Sequence, residues 1–87
     1  MNIENRATKI MLKNMPTFMA EELIDLYKIK RPYKEILIAS CIKDMSQFEA
    51  MRYLSSQGIS MGFRTFTRKQ AKALELFRTA HLLYKDR

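Results

Sequence analysis

Only two glycines, two prolines, one cysteine and one histidine occur among the 87 residues, and each scarcity removes a class of structure or chemistry. With so few breakers, and no useful run in which β-branched residues alternate with polar ones, strands joined by tight turns are not expected. The lone Cys41 can form no internal disulfide, which agrees with a reducing compartment. His81 stands alone as well, so there is no cysteine and histidine set with metal-ligand spacing and no Cys-His dyad to argue for. A glycine-rich phosphate loop is missing. The longest uncharged apolar run falls far short of the roughly 20 residues needed to span a bilayer. The first fifteen residues carry the acidic Glu4 and neither a continuous apolar segment nor a small-residue cleavage site, so no secretion signal is expected. Linkers, repeats and low-complexity tracts are absent too. The expectation is a single soluble cytoplasmic domain over 1–87, without catalytic residues, metal, cofactor or membrane span.

What the chain does have is apolar content, at 47% of residues, enough to exclude a disordered tail. Its densest apolar stretch runs from Tyr33 to Leu54. Ile36, Leu37, Ile38, Ala39, Cys41, Ile42 and Met45 crowd most of a helical circumference, the pattern of a helix surrounded by others. Ser46 then precedes Glu49 by three residues, a capping box that starts a second helix. Phe48, Met51 and Leu54 recur at the spacing of one face, so this helix folds back on its predecessor, and Gly58 supplies the left-handed residue that ends it. A central helical hairpin over 33–57 results.

Around it the same reasoning places three more helices. Ile3, Ala7, Ile10, Met11 and Asn14 follow a 3.6-residue period, with Arg6, Lys9 and Lys13 on other faces, until Pro16 stops the helix. Thr17 is read as the next N-cap, with Glu21, Glu22 and Asp25 in the early turns and Ala20, Leu23, Ile24 and Tyr27 as the buried stripe, widened by Phe18 and Leu26. After the hairpin, GISMGFRTFT lacks clear helical period and reads as a loop. Thr67 and Gln70 form a second capping box, which puts the start of a long last helix at Arg68 and its end near 85. Ala73, Leu76, Phe77, Ala80, Leu83 and Tyr84 mark its apolar face, Arg78, Lys85 and Arg87 its wet one, and Leu74 with Leu82 lies off the main face, available for a symmetric contact. The predicted fold class is all-α, a small bundle of about five helices with the central hairpin and a long C-terminal helix at 68–85.

Charge is the most informative quantity. The net +7 is uneven: residues 1–45 carry eight bases and six acids, residues 46–87 eight bases and three acids. Between Glu49 and Glu75 there is no acid, while Arg52, Arg64, Arg68, Lys69 and Lys72 lie in that window. Such a field favours phosphate or an acidic protein surface, against the alternative that the charge serves solubility alone. The candidate nucleic-acid-binding set is Arg64, Thr65, Thr67, Arg68, Lys69 and Lys72, with amides at the helix start holding a phosphate beside Arg68 and Lys69. A secondary basic corner of Lys30, Arg31 and Lys34 surrounds Pro32, where the preferred reading is cations complementing a helix end and the other is a phosphate contact. Phe63 and Phe66 either plug the bundle end, the preferred reading, or stack on unpaired bases. A helix-turn-helix alignment with Gly58 in the turn fits poorly, because it puts Leu54 where a small residue belongs and Arg64 where a buried one does.

Seven methionines add adaptable surface, and Met15 and Met19 flank one turn. Should the first two helices fail to cover Phe18, Met15 and Met19, a partner or a second copy would cover them. Two functions are therefore expected. One is a small basic DNA-binding transcriptional regulator of the size and charge that suit a phage or mobile element. The other is a non-enzymatic adaptor or inhibitor that docks an apolar and basic surface on a larger acidic protein; a homodimer fits either.

Overall fold

The computed structural model describes residues 1–85, and among them every regular element is a helix. We label them α1 (Ile3–Asn14), α2 (Thr17–Leu26), α3 (Tyr33–Leu37, running on as a π-helical turn at Ile38–Ile42), α4 (Gln47–Ser56) and α5 (Phe63–Lys85). The all-α bundle and its long last helix thus stand. No helix among the described residues is long and apolar enough to cross a membrane. Arg87, assigned above to the wet face of the last helix, lies outside the described residues.

The central position of the 33–42 segment follows from its composition. Ile36, Leu37, Ala39 and Cys41 are fully buried, Ile38 and Ile42 pack against the same core, and the segment touches each of the other four helices. Its last turn widens to an i→i−5 pattern, with the Lys43 amide donating to the Ile38 carbonyl at 2.8 Å. Ser40 sits buried in that turn without an orphaned hydroxyl, since Oγ donates to the Ile36 carbonyl at 2.6 Å. Such a bulge leaves no trace in apolar periodicity, so nothing in the sequence announces it.

Helix ends show which local signals hold. At α4 the capping box forms: Ser46 Oγ accepts from the Glu49 amide at 3.3 Å, and a Glu49 carboxylate oxygen accepts from the Ser46 amide at 2.9 Å. The helix closes with Gly58 at φ +79°, its amide donating to Ser55 and that of Ile59 to Leu54, a Schellman arrangement. The same closure ends α2 with Lys28 at φ +56° in the left-handed position. Thr17, in contrast, does not cap α2. Pro16 occupies that position with no side-chain cap bond, and no acid falls in the first turn, so Glu21, Glu22 and Asp25 lie too far along to meet the dipole's positive end.

Three buried faces differ from expectation. In α1 the inward residues are Asn5, Thr8 and Leu12, while Ile3 is 86% exposed and Ile10 and Ala7 also face out. The polar pair is tolerated inside because each is bonded: Asn5 Oδ1 accepts from Arg78 at 2.7 Å and Thr8 Oγ1 donates to the Glu4 carbonyl. In α2, Ala20 and Ile24 are buried, but Phe18 and Leu26 stay exposed instead of widening the stripe. The α5 face is also rotated, so that Leu74 is fully buried with Phe66, Ala73 and Phe77, and cannot serve the symmetric contact assigned to it with Leu82. Spanning 23 residues, α5 is about 34 Å long at 1.5 Å per residue, against 37 Å for the longest axis of the molecule. Near its C-terminal end Tyr27, Phe77, His81 and Tyr84 pack ring to ring, with the Tyr27 hydroxyl and His81 Nδ1 hydrogen-bonded at 2.7 Å.

Candidate nucleic-acid interface

The start of α5 decides how the basic residues are presented. The first helical carbonyl to be used is that of Gly62, which accepts from the Phe66 amide at 2.9 Å, so the helix begins at Phe63. This overturns the start at Arg68 and the Thr67–Gln70 capping box. Thr67 is one full turn inside; its hydroxyl donates back to the Phe63 carbonyl at 3.1 Å and accepts from Gln47 Nε2 at 2.8 Å. Amides near Arg68 and Lys69 are consequently spent within the helix, and the phosphate cradle predicted there does not exist. The free amides of the first turn belong to Phe63, Arg64 and Thr65.

The helical placement brings together a different set. Arg64, Arg68 and Lys72 are spaced i, i+4, i+8 and all exposed, forming one row over about 12 Å of the helix. Lys69 leaves the row, lying half-buried with Nζ over the Tyr33 ring at 5.3 Å from its centroid, a cation–π contact. Thr65 is half-buried and Thr67 is tied to Gln47, so neither belongs to the row. Glu75, eleven positions after Arg64, closes the row at its far end.

Four of the other bases are committed to ion pairs, and none of this row is. Ion pairs join Lys13 to Asp44 at 3.0 Å, Lys34 to Asp25 at 2.7 Å, Arg31 to Glu35 at 3.5 Å and Arg78 to Glu4 at 3.7 Å. Among the described residues Arg64, Arg68 and Lys72 have no such partner. The basic corner fares differently. Arg31 also donates from Nη2 to the Gln57 carbonyl at 2.7 Å, and the hydrogen bond to Asp25 raises the Lys34 pKa above the ordinary lysine value. Two of its three cations are thus committed, Arg31 tying the α2–α3 connection to the end of α4 and Lys34 tying α3 to α2, and only Lys30 has no side-chain partner among the described residues. The last turn of α2 itself carries no base, and the cations of this corner follow its end.

Phe63 and Phe66 part company. Phe66 is buried in the core, whereas Phe63 is 50% exposed and meets Phe48, itself 73% exposed, with ring centroids 6.2 Å apart. Phe48 had been assigned to the buried face of α4. That face centres instead on Ala50 and Leu54, and at 100° per residue Phe48 falls about 140° from its centre, on the outward side of the helix. Sequence reasoning therefore missed Phe48 and Gln47 at this end of the molecule; the signal available was Phe48's place opposite Ala50 on a helical wheel. The connection between α4 and α5 covers 57–62, longer than a helix-turn-helix turn, in line with the poor alignment to that motif.

No three or more His, Cys, Asp or Glu side chains converge to hold a metal among the described residues. Comparison of the chain with protein-family models, with characterised proteins and with solved structures finds no match.

Proposed function

We propose that the protein is a small non-enzymatic nucleic-acid-binding protein that lays the N-terminal half of α5 along a phosphate backbone. The observation that carries this reading is the exposed i, i+4, i+8 row Arg64, Arg68 and Lys72, which lies inside the acid-free window from Glu49 to Glu75 and has no ion-pair partner among the described residues. Phosphate contacts of this kind give affinity without sequence information, and each one releases a counterion. Three contacts predict that log K falls with log salt at a slope of about −2 to −3, depending on whether the strand is single or paired.

The variant R64A/R68A/K72A is expected to bring that slope close to zero and to weaken binding alike on every sequence. Its thermal midpoint should hardly move, since exposed substitutions away from caps and cores stay within about 0.5 kcal/mol. Anisotropy titrations at two salt concentrations measure both. Wild-type affinity and slope in the variant would sink the assignment.

One observation favours the second reading, an adaptor docking on a larger protein. Phe18 is 66% exposed and Met19 is also uncovered, so two of the three residues named above are left for a partner, while Met15 packs against the core. Under this reading a stoichiometric protein partner remains bound after nuclease treatment, and the charges set encounter rate more than affinity.

A further inference from the structure

We infer that the exposed ring pair Phe48 and Phe63 is a stacking platform for unpaired bases, so that the strand held by the basic row is single-stranded. This rests on the preceding reading of Arg64, Arg68 and Lys72 as phosphate contacts.

Two large rings in mutual contact, with centroids 6.2 Å apart and planes inclined at 47°, remain mostly in water at the junction of α4 and α5. Their backbones are fixed relative to each other. Gln47, next to Phe48, donates to Thr67, one turn after Phe63, at 2.8 Å, which clamps the two helix starts together. Cations border the rings on both helices: Arg52 lies one turn beyond Phe48 in the same row of α4, and Arg64 follows Phe63 directly. Within one turn of either ring along these helices the only carboxylate is Glu49, and it is engaged with the Ser46 amide. The surroundings of the pair are thus matched to an anionic partner with flat apolar faces.

A nucleic acid is such a partner only when its bases are unstacked. In a duplex the base faces are covered by their neighbours, and side chains reach only base edges in the grooves. In a single strand the faces are open, aromatic rings stack on them, and cations follow the backbone. Phenylalanine carries no hydrogen-bonding group, so the platform selects unpaired bases without selecting a sequence. Nor does either ring read the sugar, so DNA and RNA strands are both accepted.

The test uses the full chain and four titrations by anisotropy: the homopolymers dT20 and rU20, a 20-base-pair duplex, and dT20 at raised salt. Wild-type protein is expected to bind the single strands more tightly than the duplex. Phe48→Ala and Phe63→Ala should each lose about fivefold or more on the single strands, with the salt slope kept, because stacking and not charge has been removed. A loss on either strand type supports the platform. Since the chain has no tryptophan, Phe63→Trp gives a single reporter whose emission should be quenched by dT20 and not by the duplex. Binding that is steeply salt-dependent, equal on duplex and single strand, and unchanged in both alanine variants would overturn the platform and leave the basic row standing. Failure of the wild type to bind any of the probes at low salt would overturn both.

Discussion

Replacing Phe77 with alanine is expected to lower the stability of this domain by about 3–5 kcal/mol, the usual cost of truncating a fully buried phenylalanine. The ring is wholly enclosed, 5.2 Å from Tyr27 and 5.6 Å from His81 between centroids, and belongs to the core that α5 shares with the other helices. For 87 residues a total of about 4–13 kcal/mol is the normal range, and a chain this short buries a smaller share of its surface than a larger one. The substitution therefore removes a large fraction of what there is. A thermal unfolding curve followed by helical circular dichroism should shift down by about 15 °C or more. Leu83, six residues further along the same helix and exposed, provides the comparison: Leu83→Ala should stay within about 0.5 kcal/mol of the parent. Equal shifts in the two variants would mean that the core does not sit where these contacts put it.

How far the sequence reveals this arrangement depends on the range of the interaction concerned. The Ser46–Glu49 box is legible because both partners lie within one turn and nothing else competes for them. The same letter pattern at Thr67 and Gln70 misleads, because Gly62 offers an earlier start and Phe66, once helical, finds a buried place in the core. Local capping rules rank candidate starts only when tertiary burial does not choose between them. Helix α1 shows the same limit in another form. Its apolar row Ile3, Ala7 and Ile10 looks like an inward face, yet Asn5 turns inward because Arg78, seventy-three positions away, completes its hydrogen bonding. A pairing at that separation has no counterpart in periodicity.

The candidate site was half legible for the same reason. The acid-free window from Glu49 to Glu75 marks the stretch in which the exposed basic row lies, since charge composition needs no geometry. Which of its members act together depends on the helix phase, and moving the start of α5 from Arg68 back to Phe63 turns a supposed loop into the first helical turn. Arg64 thereby joins Arg68 and Lys72 in one row, Lys69 turns to Tyr33, and Phe63 is carried against Phe48 instead of into the core.

The thiol of Cys41 is expected to react with an aqueous disulfide reagent only when the domain opens, at least about a thousandfold more slowly than in the denatured chain. Two effects combine. Its side chain is fully buried in the π-helical turn, so reagent must wait for an opening that costs most of the global stability. Burial also pushes the thiol pKa above its ordinary value, and the smaller opposing pulls of the Ser40 contact at 3.6 Å and of Lys9 do not reverse it, so little of the reactive thiolate forms in place. Labelling within tenfold of the denatured rate would contradict the packing around α3. The same shift fixes a pH dependence. Above the ordinary thiol value of about 8.5 the unfolded chain gives up a proton that the native chain retains, so the unfolded state binds fewer protons and stability must fall as pH rises. Tyr27, whose pKa burial raises first and the nearby Tyr84 second, adds to the fall at higher pH. Denaturant midpoints measured from pH 7.5 to 10.5 should therefore decrease, and the decrease should begin later in Cys41→Ala, where only the tyrosine contribution remains. The comparison is one of slopes, because removing the sulfur also leaves a small cavity that lowers the midpoint at every pH. Parallel slopes in the two proteins would mean that Cys41 does not titrate differently in the folded and unfolded chains.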